Sequence, residues 1–236
     1  MTKIEVACNS YASCLNAVKG GADRIELFEN IEAGGCTPSA GTIRKAITLD
    51  IPVYVMIRPR GGDFVYTSDE IDIMMSDIEF CKIMGIKGIV FGCLSSNGQV
   101  DTNLCKRLMQ IWNGPATFHR AIDRTHDIMS SAKQVVDLGF ERILTSGGAE
   151  NVVKGIQNIK RLNSQLGSLI SIMPGAGVNR ENAAMVVRET GVSEIHSTCK
   201  ETIPSNNGCA NENFKDIIHH SSEKEIRLLK ESLIGL

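Results

Sequence analysis

The sequence contains little that a nucleic acid or a membrane would bind. Aromatic residues make up only 5% of the 236 residues, the formal net charge is −2, and lysine and arginine are scattered along the chain. Nucleic-acid-binding domains usually combine clustered positive charge with aromatic stacking platforms. No apolar run approaches the roughly 18 residues that a membrane-spanning helix needs. We therefore expect neither a nucleic acid nor a membrane as a partner.

Short motifs for metal, redox and cofactor chemistry are also missing. The eight cysteines include no CxxC pair, the most local signature of a zinc or thiol-redox site. The first ten residues, MTKIEVACNS, lack the charged-then-apolar layout of a signal peptide. We expect a cytoplasmic protein with reduced thiols. No GxGxxG follows the first strand and no Walker loop occurs, so no organic cofactor is predicted.

Glycine recurs at a fixed place in four segments of the chain. In each segment an isoleucine in a short apolar run follows the glycine by four residues: GADRIEL from Gly21, GIKGIVF from Gly85, GFERILT from Gly139 and GVSEIHS from Gly191. The glycine is typical of a helix C-cap with positive φ, and the isoleucine of a buried strand. Four further segments have the pattern of buried strands: KIEVA, PVYVMI, ATFH and LISIM.

Helical patterns separate these eight strands. The predicted helices cover residues 11–19, 39–48, 69–84, 103–112, 127–138, 151–166, 180–189 and 223–233. Strict alternation of short buried strands with helices is typical of α/β proteins with a parallel sheet. We predict one (β/α)8 barrel domain over residues 1–236, with a long polar loop at about 198–222 before the last helix. A doubly wound open sheet is the alternative.

Polar residues cluster where the predicted strands end. Active sites of such barrels lie at the C-terminal ends of the strands. Carboxylates and imidazoles there transfer protons, and arginine holds anions. The candidate catalytic residues are Glu5, Glu26, Arg58, His119, Asp123 and His196.

A second group of residues is predicted to bind an anion. The segment MIRPRGGDF places Arg60 close to Arg58 on a glycine turn, and glycine-rich turns also follow the sixth and seventh strands. Such turns leave backbone N–H groups free near a helix start, where phosphate or carboxylate can bind. The anion-binding candidates are Arg60, Ser146, Gly147, Gly175 and Gly177. The alternative is structural: glycines that serve only as turns, hydrogen-bonded histidines, and charges that fill the barrel as a closed ion-pair network.

Several of these segments together resemble the CutC family of copper-homeostasis proteins. They are GGADRIEL, EAGGCTPS, MIRPRGGDF, TFHRAID, RILTSG and IMPGAGV, and the resemblance runs from about residue 4 to about residue 198. It implies a barrel of the same type, a cytosolic location, homodimers or higher homo-oligomers, and a role in copper handling, which in the cytosol means Cu(I).

The resemblance also implies two sulfur ligands that this chain lacks at the expected places. Family members commonly have a cysteine in the first strand and another after the IEL of the second, where this chain has Ala7 followed by Cys8, and Phe28. Because Cu(I) prefers thiolate, thioether and imidazole, Cys8 and Cys199 are the replacement candidates, brought together if strands one and eight are neighbours. The alternative function is a barrel lyase, isomerase or hydrolase acting on a small phosphorylated or carboxylated metabolite.

Overall fold

Eight parallel strands form a nearly closed barrel, which confirms the predicted fold class. The computed structural model describes residues 2–204 and 217–236. The strands pair in the order β7-β6-β5-β4-β3-β2-β1-β8, and β7 lies beside β8. Their bounds are β1 Lys3–Cys8, β2 Arg24–Leu27, β3 Val53–Met56, β4 Gly88–Phe91, β5 Ala116–Phe118, β6 Arg142–Thr145, β7 Ser171–Pro174 and β8 Glu194–Ser197.

Helices follow the strands and cover the outside of the barrel. They are α1 Tyr11–Gly20, α2 Ala40–Ala46, α3 Ser68–Ile83, α4 Thr102–Trp112, α5 Ile128–Asp137, α6 Ile156–Leu166, α7 Ala183–Thr190 and α8 Glu223–Glu231. Short 3-10 helices lie at Ile31–Ala33 and Arg120–Arg124. No helix among the described residues combines the length and the apolar character that crossing a membrane requires.

Helix α6 begins five residues later than the sequence pattern predicts. The residues before it form turns, and Gly155 caps the helix. A Cβ atom on Gly155 would lie 1.7 Å from the carbonyl oxygen of Ser146, so the backbone here crosses directly over the end of β6. This close approach requires glycine and delays the start of the helix.

The segment after β8 carries regular structure where the sequence predicts an irregular loop. Strands β9 (Lys200–Pro204) and β10 (Ile217–Ser221) pair antiparallel, and residues 205–216 lie outside the described part of the chain. Side-chain hydrogen bonds fasten this ribbon to the barrel: Asn9 Nδ2 donates to the His219 carbonyl, and Ser221 Oγ donates to the Ala7 carbonyl. The ribbon lacks the apolar alternation that usually indicates a strand. Backbone pairing and these side-chain bonds hold it instead.

Strand alternation sorts the side chains into two layers. In β1, Ile4, Val6 and Cys8 pack against the helices, whereas Glu5 and Ala7 point into the barrel. The outer layer is the large apolar core between sheet and helices. The interior holds a small apolar cluster of Ala7, Phe28, Tyr54, Met56 and Val90, together with buried charges.

Those interior charges form an ion network in the lower half of the barrel. Glu194 accepts from Arg24 Nη2 at 2.5 Å and from Arg142 Nε at 2.6 Å, and Arg24 also pairs with Glu5. Both guanidinium groups lie over the ring of Tyr54, at 5.2 and 5.4 Å from its centroid. Of the charges considered for a closed network, only Glu5 belongs to this one, which lies below the mouth and fixes Glu5 in place.

We expect Glu194→Gln to lower the free energy of unfolding by about 3–5 kcal/mol, because it leaves two buried arginines short of a counter-charge. Urea unfolding followed by circular dichroism measures the change. The control is Glu150→Gln, which breaks an exposed pair with Lys154 and should cost less than about 1 kcal/mol. Equal effects of the two substitutions would contradict a stabilising role for the buried network.

Candidate functional site

A cavity of about 210 Å³ lies at the C-terminal ends of the strands. We call it the mouth cavity. Its apolar walls include Ala7, Phe28, Met56, Phe64 and Leu144. Its polar lining consists of Glu26, Arg58, His119, Arg120, His196 and Thr198. Four of the six predicted catalytic residues therefore line one cavity, and a fifth, Glu5, supports it from below.

Glu5, His196 and Glu26 form a buried carboxylate–imidazole–carboxylate arrangement. The Nδ1 atom of His196 lies 2.8 Å from Glu5 Oε1, and its Nε2 atom lies 3.7 Å from Glu26 Oε2. The other oxygen of Glu26, Oε1, is buried and has no hydrogen-bond partner among the described residues. Adjacent strands create this arrangement, because β1 pairs with β2 on one side and with β8 on the other.

The two carboxylates of this group differ in their affinity for protons. Burial alone would raise the pKa of Glu5, but the charges of Arg24 and His196 lower it well below its ordinary value. Burial raises the pKa of Glu26 to about 7, and the charge of Glu5 adds to this effect. Burial lowers the pKa of His196, but Glu26 and Glu5 raise it by a larger amount, so the net shift is upward. Glu26 and His196 thus compete for a proton near neutral pH.

His119 lies elsewhere in the mouth cavity and is uncharged. Its Nδ1 atom accepts a hydrogen bond from the backbone N–H of Ala121 at 3.3 Å, and its ring lies 4.8 Å from that of Phe64. Burial, with the nearby charge of Arg58, lowers the pKa of His119 to about 3. Its Nε2 atom is buried without a partner among the described residues.

Arg58 brings a buried positive charge to the cavity wall. Its Nη atoms donate to the carbonyl oxygens of Ala33, Gly35 and Gly62 at 2.8–2.9 Å, and the guanidinium lies over the Phe64 ring. Within residues 2–204 and 217–236, no carboxylate forms an ion pair with it. Carbonyl groups stabilise a guanidinium without neutralising it, so the wall remains electropositive.

Asp123 lies in the 3-10 helix after β5, and its carboxylate reaches the glycine turn after β6. Its carboxylate accepts hydrogen bonds from the backbone N–H groups of Ser146 and Gly148 at 3.0–3.1 Å and forms an ion pair with Arg120. The N–H of Gly147 donates to Thr145 Oγ1 at 2.8 Å. The chain's own groups therefore take up the amides that the sequence predicts for an external anion, and Asp123 is a structural partner of that turn.

The other predicted anion-binding residues also have partners within the chain. Arg60 pairs with Glu70 at 2.6 Å and with Asp63 at 3.1 Å, and it does not line the mouth cavity. The N–H of Gly175 donates to the Thr145 carbonyl, and the Gly177 carbonyl accepts from Asn182. Gly175 still shapes the site, because a Cβ there would lie 2.6 Å from Leu144 Cδ1.

Cys8 and Cys199, the predicted copper ligands, lie outside the mouth cavity. Cys8 is fully buried on the helix-facing side of β1, where its thiol lies beside Cys14. Burial raises the pKa of that thiol well above its ordinary value, and Cys14 raises it further. Cys199 is half-buried with its Sγ atom 3.4 Å from Ser197 Oγ, and burial raises its pKa to about 11. Both thiols are therefore protonated at neutral pH.

Comparison with known proteins identifies the family. The CutC family model matches residues 2–201. The chain belongs to the CutC family. It is 44% identical over 201 residues to the human "Copper homeostasis protein cutC homolog", which covers 84% of this chain and 74% of the human protein. It is 45% identical over 207 residues to the "family protein CutC" of Aliivibrio fischeri (strain MJ11), covering 86% and 84% of the two chains.

A crystal structure of a CutC protein has the same fold. It is described as the putative copper homeostasis protein CutC from Streptococcus agalactiae, with a TM-score of 0.80 and 37% identity. The alignment covers 84% of this chain and 99% of the other. The resemblance read from the sequence motifs is thereby confirmed, together with the barrel.

The CutC resemblance places sulfur at two positions that line the mouth cavity, and both differ here. Ala7 and Phe28 occupy them, and both side chains belong to the interior apolar cluster. Cys8 is only one residue from Ala7, but successive side chains of a strand point to opposite faces of the sheet. The shift therefore moves the thiol from the cavity to the helix layer.

Sequence reasoning underrated the residues that support the site. Arg24 and Arg142 begin β2 and β6, and their side chains point inward with Glu26 and Leu144. The period-two alternation of RIE, from Arg24 to Glu26, and of RIL, from Arg142 to Leu144, could have indicated this inward direction. Their pairing with Glu194 joins strands distant in the sequence, which no local pattern encodes.

Glu5, Glu26 and His196 also offer ligands for a metal ion. One ligand atom each from Glu5, Glu26 and His196 lies within 4.8 Å of the others. Oxygen and nitrogen donors suit borderline divalent ions better than soft Cu(I). The Met56 thioether, together with the two imidazoles in the cavity lining, provides softer donors.

We expect the stability of the protein to fall between pH 5 and pH 8 because of Glu26 and His196. Folding raises both pKa values, so the folded state binds more protons than the unfolded state. The contribution of Glu26 is lost as the pH rises from 4.5 through about 7, and that of His196 is lost as the pH rises above 6.5. Glu26→Gln should flatten the decline and increase stability at pH 8. Urea unfolding at several pH values measures both effects, with the surface variant Glu181→Gln as control. A parallel decline in Glu26→Gln would contradict the assignment.

Proposed function

We propose that the protein is an enzyme, an isomerase, lyase or hydrolase, that transfers a proton on a small carboxylated or phosphorylated molecule in the mouth cavity. The observation that carries this proposal is the buried Glu26–His196 pair, in which one oxygen of Glu26, beside the cavity, has no partner among the described residues. A general base works best when its pKa lies near the working pH, and the pKa of Glu26 is about 7.

In this proposal Glu5 and His196 support the base. Glu5 bonds to His196 Nδ1, which leaves Nε2 facing Glu26. Arg24 keeps Glu5 ionised, so Glu5 does not compete for the proton. Glu26 and His196 share the proton that Glu26 takes up, and its return to the bound molecule restores the base after each turnover.

Arg58 selects the charge of the substrate. Its guanidinium is buried at the cavity wall and bonds only to carbonyl oxygens within the described chain. A carboxylate or phosphate of the substrate would supply the missing counter-charge. Because such an anion would also lie near Glu26, its affinity depends on the protonation of that residue.

We expect small anions to bind more weakly as the pH rises through about 7, by about tenfold, because ionised Glu26 repels them. Ligand-observed NMR with pyruvate, oxalate, inorganic phosphate and glycerol 3-phosphate measures the affinities. Glu26→Gln should remove the pH dependence, and Arg58→Met should abolish binding.

Arg60→Met is the matched control for this experiment, because Arg60 holds the same loop but does not line the cavity. It should bind the anions as the unmodified protein does. Equal loss of binding in the two arginine variants would assign the effect to loop disruption. Absence of binding by all four anions in the unmodified protein would contradict the proposed function.

Cu(I) binding is a second proposal, favoured by membership of a family whose human member is named a copper homeostasis protein. Cu(I) prefers thiolate, thioether and imidazole ligands. The mouth cavity offers Met56, His119 and His196, whereas the thiols of Cys8 and Cys199 lie on the outer side of the sheet. The two donor sets therefore predict that different substitutions weaken the affinity for Cu(I).

We expect the affinity for Cu(I) to depend on the cavity donors. An anaerobic Cu(I) titration against a competing chelator measures this affinity. His196→Gln should weaken binding at least about tenfold, and Met56→Leu should act in the same direction. Cys8→Ser and Cys199→Ser should leave the affinity unchanged. Loss of binding in either serine variant would assign copper to the outer thiols instead, and weak binding in the unmodified protein would contradict the copper proposal.

A further inference from the structure

His119 presents a hydrogen-bond donor to the mouth cavity that no described group uses. The backbone N–H of Ala121 donates to Nδ1, so that nitrogen carries no proton and the ring hydrogen must be on Nε2. The Nε2 atom is buried, without a partner among the described residues, on a side chain that is 4% exposed and lines the cavity. A buried donor without an acceptor is costly, so its presence beside the cavity favours a ligand oxygen as the missing acceptor.

The surroundings of His119 keep this donor neutral. Burial and the charge of Arg58 lower its pKa to about 3, so the ring does not ionise in the neutral range. A neutral imidazole N–H can stabilise a developing oxyanion without first giving up a proton to it. His119 therefore suits an oxygen that gains negative charge during a reaction.

The hydrogen-bond donor His119, the cation Arg58 and the base Glu26 are positioned by three different strands around one cavity. Glu26 lies in β2, Arg58 follows β3 and His119 follows β5. Within the described part of the chain, Glu26 Oε1 and the Nε2–H of His119 have no hydrogen-bond partner. A molecule that contacts all three must have a negatively charged group, a polarisable oxygen and a removable proton.

We propose that the substrate is a small 2-oxo acid, whose carbonyl oxygen accepts the Nε2–H of His119 while Glu26 removes a proton from the carbon next to the carbonyl. This inference rests on the proposed function and names its substrate class. The substrate carboxylate lies at Arg58. The C–H electron pair forms the C=C bond, and the carbonyl π pair moves to oxygen. The proton goes to Glu26, and its return regenerates the oxo acid.

The size of the cavity agrees with this class of substrate. About 210 Å³ corresponds to roughly seven water molecules at ~30 Å³ each. A molecule with a few carbon atoms fits this volume. The apolar walls formed by Phe28, Met56 and Leu144 suit the short carbon chain.

The experiment follows hydrogen–deuterium exchange at C3 of pyruvate and 2-oxobutyrate in D2O by ¹H NMR. Removal and return of the proton need no second reactant, so exchange reports the proposed step directly. We expect the protein to accelerate exchange, and Glu26→Gln at the same concentration to reduce it to the rate in buffer.

Two substitutions of His119 separate its catalytic role from a structural one. Asparagine places an oxygen near the position of Nδ1 and keeps the acceptor for Ala121, but it has no donor at Nε2. Glutamine places an N–H donor near Nε2. We expect His119→Asn to slow exchange by about 100-fold and His119→Gln to retain more of it.

The outcomes separate this inference from the proposed function on which it rests. Exchange that is equally fast in His119→Asn and in the unmodified protein would overturn the role of His119. Absence of exchange with both oxo acids, while pyruvate still binds in an Arg58-dependent manner, would overturn the substrate class and leave the proposed function standing. Failure of all anions to bind would overturn both.

Discussion

The buried ion pair between Arg24 and Glu5 is the interaction on which the candidate site depends. It keeps Glu5 charged inside the barrel, where burial alone would favour the neutral acid. Charged Glu5 fixes the ring of His196, and His196 sets the environment of Glu26. Because Arg24 is itself held by Glu194, the whole lower network rigidly supports the Glu26–His196 pair above it.

Strand periodicity explains both what the barrel interior contains and what it lacks. Side chains at every second position face inward, so the inward-facing set is fixed once the register is fixed. Glu26 and His196 lie in that set, whereas Cys8 does not. A sulfur one residue away from the expected position is therefore chemically remote, although it is adjacent in the sequence.

The fold and the polar residues that line the mouth cavity could be predicted because local patterns encode them. Apolar runs, glycine joints and polar strand ends identify the strands, and barrel geometry brings strand ends together. The partners of the glycine turns could not be predicted in this way. Asp123 reaches the amides of Ser146 and Gly148 across more than twenty residues, and only the tertiary structure shows that an internal carboxylate fills the turn. The β9–β10 ribbon after β8 could not be predicted for the same reason, because side chains distant in the sequence hold it in place.

The two proposed functions require the same imidazole. Proton transfer uses Nε2 of His196 to exchange a proton with Glu26, and copper binding in the cavity would use that same nitrogen as a ligand. A nitrogen lone pair cannot hold a proton and a metal ion at once. Copper and substrate chemistry therefore exclude each other within one molecule, and the Glu26 carboxylate, left without its proton-sharing partner, would become part of the metal's environment.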